Sequence, residues 1–294
     1  MMKTALAFVR TMRPRQWVKN VFVAAPLVFA RYMGEPRYLV REALATLAFC
    51  ALSGVVYTFN DVRDADADRQ HPVKQHRPIA ARDLSERTAL TLAGLLAIAA
   101  LAGSVALSWQ LAGIAAIYLV QNLAYSLGLK QIAFVDVALI ASGFLLRVLA
   151  GAAAIAVPAS HWLLLCTALL ALFLGLGKRS HELVWAARTQ RANTTRAALA
   201  GYRIEVVRIA MIVLATVTCA AFIAYTLSPR TIEFFGTDRL IYVAPFAILG
   251  VLRFLMLALW RTTPESPTDA MLHDPWFLLD LLGASAVTLY AIYG

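Results

Sequence analysis

The sequence predicts an all-α membrane protein, a polytopic bundle of about nine transmembrane helices. Hydrophobic residues make up 61% of the 294 positions and charged residues only 15%, whereas soluble domains carry about 25% charge. The mean hydropathy is +0.69. Apolar stretches recur along the whole chain, and Lys and Arg residues flank them. These three observations exclude an ordinary soluble globular domain.

Each membrane-crossing helix needs ~20 mostly apolar residues, and nine stretches meet or approach that length. The predicted spans are 17–33, 38–60, 86–108, 110–129, 133–157, 161–178, 204–228, 238–260 and 272–293. The first is the least regular, because Pro26 interrupts it. No soluble domain or linker separates the spans, so residues 1–294 are predicted to form one membrane-embedded domain.

The Lys and Arg residues predict how the spans are oriented. They concentrate at the N-terminus and in the loops 61–87 and 178–203. By the positive-inside rule these segments face the cytoplasm, and the chain is a multi-pass protein of the cell membrane. The net charge of +10 is therefore attributed to topology and anionic lipid rather than to nucleic acid. The three cysteines lack paired spacing, so neither disulfides nor a cysteine metal site is expected.

Residues 57–82, YTFNDVRDADADRQHPVKQHRPIAAR, lie between the second and third spans. If the preceding helix continues, Asp61, Asp64 and Asp68 share one face, because they lie three and four residues apart. Asn60 adjoins that face, whereas Asp66 turns away from it. A solvated charged loop is the alternative, but like charges at low dielectric are costly without a cation. Mg²⁺ takes a few carboxylates and completes its shell with water and phosphate oxygens.

The same segment predicts a magnesium site at the membrane surface. Its predicted ligands are Asn60, Asp61, Asp64 and Asp68, and the three aspartates are the predicted catalytic carboxylates. Lys74 and Arg77 follow directly and would bind phosphate groups that the metal does not cover. Lys19 and Asn20, in the run RPRQWVKN before the first span, have two readings. They flank an interfacial anchor at Trp17, or they line a phosphate site near the aspartates.

A second polar group begins at Tyr125 and Lys130, where the fourth span ends. Asp136 and Arg147 follow in the fifth span, eleven residues apart, so they share a helix face about 16 Å apart. Gly143 and Gly151 share that face with Arg147 and would let a neighbouring helix or a ligand approach closely. An arginine deep in an apolar span indicates function, although it could instead bond carbonyls of another helix. Lys178 serves either as a cytoplasmic retention charge or as a binding residue.

The quoted residues resemble the UbiA superfamily of intramembrane prenyltransferases. That resemblance implies about nine helices around a central cavity and two Asp-rich motifs at the cytoplasmic side. The run from Asn60 to Asp68 matches the first motif in full. In the second, many members place two aspartates four residues apart, whereas this chain has Tyr125, Lys130 and a single Asp136. This departure, together with RPRQWVKN, is similar to the phosphoribosyltransferase branch.

The branch implies Mg²⁺-dependent transfer of phosphoribosyl from phosphoribosyl diphosphate to a polyprenyl phosphate such as decaprenyl phosphate. Diphosphate is released, and the lipid-linked product is implied to serve cell wall precursor biosynthesis. Two alternatives stay open: prenyl transfer to an aromatic acceptor, and a permease, which the glycine-interrupted spans allow. Isoprenoid length and a homo-oligomeric state also stay open. The predicted substrate-binding residues are Lys19, Asn20, Asn60, Lys74, Arg77, Tyr125, Lys130, Asp136, Arg147 and Lys178.

Overall fold

The computed structural model describes residues 2–189, 197–260 and 266–294, and within them it contains helices and no strand. Seven of these helical segments are long and apolar enough to cross a membrane. The seven are Pro36–Arg63, Glu86–Leu107, Val135–Ala154, His161–Ala187, Ile204–Leu227, Arg239–Trp260 and Pro275–Tyr293. Large apolar side chains such as Ile98, Ile209 and Leu282 point outward and are exposed. An apolar exterior of this kind is what a lipid-facing surface requires, so the chain is a multi-pass membrane protein.

The predicted count of nine spans is not confirmed. The first predicted span, 17–33, consists of the 3₁₀ helix Pro14–Asn20 and the nine-residue helix Val21–Phe29, which is too short to cross a bilayer. The fourth, 110–129, is the helix Trp109–Leu127. It has the length of a span, but its three side-chain amides lower its hydropathy below that of the seven others.

Contacts divide the chain into two compact units. The first comprises Met1–Leu127 with Leu146–Ala159, and the second comprises Gly128–Leu145 with Ser160–Gly294. The prediction of a single membrane domain stays a prediction. In chain order the α-helices are α1 (Met2–Thr11), α2 (Val21–Phe29), α3 (Pro36–Arg63), α4 (Ala65–Arg69), α5 (Glu86–Leu107), α6 (Trp109–Leu127), α7 (Val135–Ala154), α8 (His161–Thr189), α9 (Ile204–Leu227), α10 (Pro229–Phe235), α11 (Ala244–Trp260), α12 (Pro267–Met271) and α13 (Pro275–Tyr293).

In the first unit, α3 is the central helix, packed against α2, α5 and α6. The hydrophobic core of this unit includes Phe49 and Leu52 of α3 and Leu111 and Tyr118 of α6. Helix α5 begins after Ser85, whose hydroxyl accepts a hydrogen bond from the Thr88 N–H, a typical N-cap. This packing holds α3, the helix that carries Asp61, against three neighbours.

In the second unit, α8, α9, α11 and α13 pack together. Phe173 of α8 and Phe254 of α11 meet edge to face with ring centroids 5.1 Å apart. At the start of α13, Asp274 accepts a hydrogen bond from the Phe277 N–H and pairs with Arg253 of α11 at 2.6 Å. A helix cap and an ion pair thus fix the same turn.

Gly151 of α7 lies directly against α2 and α3 in the first unit, as the sequence predicted for a close helix approach. A methyl group there would overlap the Val23 carbonyl oxygen and come within 2.5 Å of Glu42 Oε1. We expect Gly151→Ala to cost about 1 to 3 kcal/mol through overpacking, measured as a lower midpoint of thermal unfolding in mild detergent. The matched control is Gly103→Ala on α5, where no atom lies within 4 Å of the added methyl group. This substitution should leave the stability unchanged or raise it slightly. Equal midpoints for both variants would contradict the close approach.

Candidate active site

The Asp-rich segment crosses the end of α3. Helix α3 ends at Arg63, Asp64 caps it, and the short helix α4 begins at Ala65. The expectation of one continuous helix through the aspartates is therefore wrong. Aspartate is a poor helix former, because its short side chain competes for backbone hydrogen bonds, and four aspartates fall within eight residues here.

Asp61 and Asp68 nevertheless lie together, although they belong to different helices. Their side chains are both only 3% exposed. Arg77 Nη1 lies 3.2 Å from Asp61 Oδ1 and 2.6 Å from Asp68 Oδ2, so a single cationic nitrogen bridges the two carboxylates. Arg13 donates a second hydrogen bond to Asp61 Oδ1, and Lys74 Nζ lies 4.0 Å from Asp68 Oδ1. The tertiary structure joins the two carboxylates through cations rather than through a shared helix face.

The other polar residues of the segment differ in their surroundings. Asn60 Oδ1 is buried and has no hydrogen-bond partner among the described residues, and Asp64 is half-buried. The Asp66 side chain is 95% exposed and pairs with Arg69. The prediction that Asp66 turns away from the other aspartates is confirmed.

These residues fit a magnesium ion in donor chemistry. Across the described ranges, no three His, Cys, Asp or Glu side chains are gathered around one metal position. Two buried carboxylates nevertheless face a common cation, and Asn60, which precedes Asp61 in the chain, has a buried amide oxygen without a hydrogen-bond partner among the described residues. Mg²⁺ is bound in proteins by one or two carboxylates, with water and phosphate oxygens completing its octahedron. Asp61, Asp68 and Asn60 are the residues that would hold it, and Asp64 stays a predicted ligand.

Arg13 is the residue that the sequence interpretation missed. It has a left-handed backbone with φ 52°, directly before the 3₁₀ helix Pro14–Asn20. This turn brings its guanidinium to Asp61 and over the Tyr57 ring, 5.1 Å from the ring centroid. The available signal was its place at the head of RPRQWVKN, but a left-handed arginine cannot be read from sequence.

Asn20 belongs to a different polar group, inside the first unit. It is 1% exposed; its amide nitrogen donates to Cys50 Sγ at 3.2 Å and its oxygen accepts from Arg147 Nε at 2.8 Å. Arg147 Nη2 also donates to the Tyr118 hydroxyl at 2.8 Å, which lies 3.1 Å from Ser53 Oγ. Arg147 and Cys50 hold the Asn20 side chain, and its place in a phosphate site near the aspartates stays a prediction. Lys19 beside it is half-buried.

Arg147 is 7% exposed and its guanidinium stacks 4.8 Å from the Tyr118 ring centroid. Two neutral oxygens and an aromatic face are among the groups that contact its guanidinium. A buried cation of this kind attracts anions in a medium of low dielectric. Asp136, predicted to share its helix face, lies in the other unit; Arg147 as a substrate-binding residue stays a prediction.

Asp136 forms a buried ion pair within the second unit. Its carboxylate lies 2.7 Å from Arg179 Nε, and both side chains are fully buried. Tyr202 donates a hydrogen bond to Asp136 Oδ1 at 2.6 Å and accepts one from the Phe134 N–H at 2.7 Å. Burial and the hydrogen bond to Asp136 both raise the pKa of Tyr202, so its hydroxyl stays a donor. Glu182 is the second acid on Arg179.

Arg179 and Tyr202 engage the Asp136 carboxylate, and its substrate-binding role stays a prediction. Sequence interpretation missed both partners, which lie 43 and 66 residues further along the chain. Tyr125, Lys130 and Lys178 are half-buried, and their substrate-binding roles stay predictions.

Comparisons with known proteins identify the family of the chain. A family model described as the UbiA prenyltransferase family matches residues 21–288. A decaprenyl-phosphate phosphoribosyltransferase of Mycolicibacterium smegmatis is 44% identical over 185 residues, covering 62% of this chain and 58% of the relative. The enzyme of the same name from Mycobacterium tuberculosis is 44% identical over 190 residues, covering 63% and 62%. The chain thus spans about three fifths of the length of these curated relatives.

Solved structures share the fold at low sequence identity. A UbiA homolog from Archaeoglobus fulgidus bound to GPP and Mg²⁺ superposes with a TM-score of 0.71 at 17% identity, covering 97% of this chain and 96% of the homolog. A structure of digeranylgeranylglyceryl phosphate synthase gives a TM-score of 0.70 at 15% identity, covering 99% of each chain. The helical architecture is therefore that of UbiA proteins, as the sequence predicted.

Proposed function

Because this chain belongs to the UbiA prenyltransferase family, we propose that it is a membrane-embedded phosphoribosyltransferase. It moves phosphoribosyl from phosphoribosyl diphosphate to a polyprenyl phosphate, such as decaprenyl phosphate, and releases diphosphate. The observation that carries the proposal is the pair of buried carboxylates, Asp61 and Asp68, bridged by one cationic nitrogen. The names of the relatives that are 44% identical support the choice of substrates.

Asp61, Asp68 and Asn60 would hold Mg²⁺, with Asp64 as a further predicted ligand. When bound, this ion neutralises the charge that develops on the departing diphosphate. The chain itself adds positive charge at the same place: Arg13, Lys74 and Arg77 surround the two carboxylates. Guanidinium groups match phosphate oxygens in a two-pronged geometry, so these residues can orient the leaving group.

The reaction places modest demands on the remaining side chains. A polyprenyl phosphate is already an anion, so its attack on the anomeric carbon needs no strong general base. The protein must hold two mutually repelling anions close together, which the cations around Asp61 and Asp68 favour. Apolar helix surfaces would accept the isoprenoid tail at ~0.8 kcal/mol per buried CH₂. The excess of Lys and Arg in the loop 61–87 supports a cytoplasmic position for the site.

The proposal is tested by measuring diphosphate release from the full chain in lipid nanodiscs. We expect release only when phosphoribosyl diphosphate, polyprenyl phosphate and Mg²⁺ are all present. Omitting the lipid substrate is the matched control for simple hydrolysis of the donor. The absence of diphosphate release from a folded preparation contradicts the proposal. Turnover of a prenyl diphosphate with an aromatic acceptor would instead assign the chain to the alternative branch.

A further inference from the structure

Arg77 and Arg13 contact one oxygen atom of each carboxylate that would hold a metal at this site. Asp61 Oδ1 accepts from both guanidinium groups, and Asp68 Oδ2 accepts from Arg77 at 2.6 Å. The carboxylates are 3% exposed, whereas the Arg13 and Arg77 side chains are 31% and 28% exposed. The anionic partners are therefore fixed in the protein interior, and the cationic partners reach them from the surface.

Two buried carboxylates that accept hydrogen bonds from one nitrogen repel each other, and a cation between them offsets that repulsion. An arginine supplies that cation at any physiological pH, because its guanidinium does not deprotonate in proteins. A metal ion and Arg77 would compete for the same lone pairs, and together they would repel each other. Only one of them can therefore occupy the position between Asp61 and Asp68.

We propose that Arg77, assisted by Arg13, is a counter-ion of Asp61 and Asp68 that competes with a metal ion and transfers to the diphosphate when the metal-bound donor enters. The proposal rests on the proposed function for the identity of the anion, a diphosphate group. The exposed parts of both side chains give them room to turn away from the carboxylates. Phosphate oxygens then replace the carboxylate oxygens as their acceptors.

This exchange makes metal and diphosphate bind cooperatively. Metal alone must displace Arg77 into water with no new acceptor, so it binds weakly. Diphosphate provides that acceptor and also ligates the metal, so each ligand tightens the binding of the other by the same factor. The site thus avoids holding a bare metal ion and assembles only with its phosphorylated donor.

The test measures Mn²⁺ binding, by electron paramagnetic resonance, to the full chain in nanodiscs with and without inorganic diphosphate. In the unchanged protein, Mn²⁺ should bind weakly alone and about tenfold more tightly with diphosphate. In Arg77→Gln, Mn²⁺ alone should bind about tenfold more tightly, because its competitor is gone, and diphosphate should add little. Arg77→Lys keeps the charge and should keep binding of Mn²⁺ alone weak.

The matched control is Arg69→Gln, because Arg69 pairs with the exposed acids Asp66 and Glu86 and should leave both affinities unchanged. Arg13→Gln should also tighten the binding of Mn²⁺ alone, but by less than Arg77→Gln. This variant provides the test if the Arg77 variant does not fold. Unchanged or weaker binding of Mn²⁺ alone in the folded Arg77 or Arg13 variant overturns the proposal. The Mn²⁺ measurement uses no phosphoribosyl donor, so it tests the role of Arg77 even if the proposed function is wrong.

Discussion

Asp61→Asn should lower diphosphate release by about 10²- to 10³-fold while the protein stays folded. The substitution keeps the shape of the side chain and removes the negative charge that Arg77 and Arg13 contact. Arg77 keeps its bond to Asp68, and Arg13, with a side chain 31% exposed, can turn to water, so unfolding is not expected. Initial rates and thermal midpoints of the same nanodisc preparations provide both readouts.

The matched control for this experiment is Asp66→Asn in the same segment. Its side chain is 95% exposed and its bond to Arg69 lies at the surface, so rate and stability should both stay unchanged. Near-normal turnover in folded Asp61→Asn would remove Asp61 from the predicted metal ligands. The same measurement on Asp64→Asn decides whether Asp64, half-buried at the end of α3, belongs with them.

Asp136→Asn should destabilise the protein by about 3 to 5 kcal/mol, the usual cost of removing one member of a buried ion pair. The substitution leaves the fully buried Arg179 guanidinium facing an amide instead of a carboxylate. Thermal unfolding in mild detergent should show the loss directly. Glu182→Gln is the control and should cost less than about 1 kcal/mol, because Glu182 is 26% exposed and Arg179 keeps Asp136.

A double variant separates charge pairing from substrate binding at this position. Removing both charges in Asp136→Asn/Arg179→Gln should restore part of the lost stability, because no buried charge is then left unpaired. A stable Asp136→Asn that loses affinity for the phosphorylated donor would contradict this interpretation. It would return Asp136 to the substrate-binding role that the sequence predicted.

The sequence determined the class of protein and the position of its first polar motif. Its helical, membrane-spanning character follows from composition and apolar length, because each helix satisfies its own backbone and only its surface must match the lipid. Residues 60–68 could be identified as a candidate site because carboxylates rarely cluster beside apolar spans without a cation. The outward position of Asp66 was also predicted from helical spacing, although the helix breaks at Asp64.

Only the tertiary structure decided how the polar residues are paired. Arg13 and Arg77 meet Asp61 across 48 and 16 residues, and Asp136 meets Arg179 and Tyr202 across 43 and 66. Spacing along a helix predicts contacts only between side chains up to about four residues apart. It gives no information about such distant partners. The sequence therefore identified the acidic residues of the candidate site, whereas chain packing selected the cations that neutralise them.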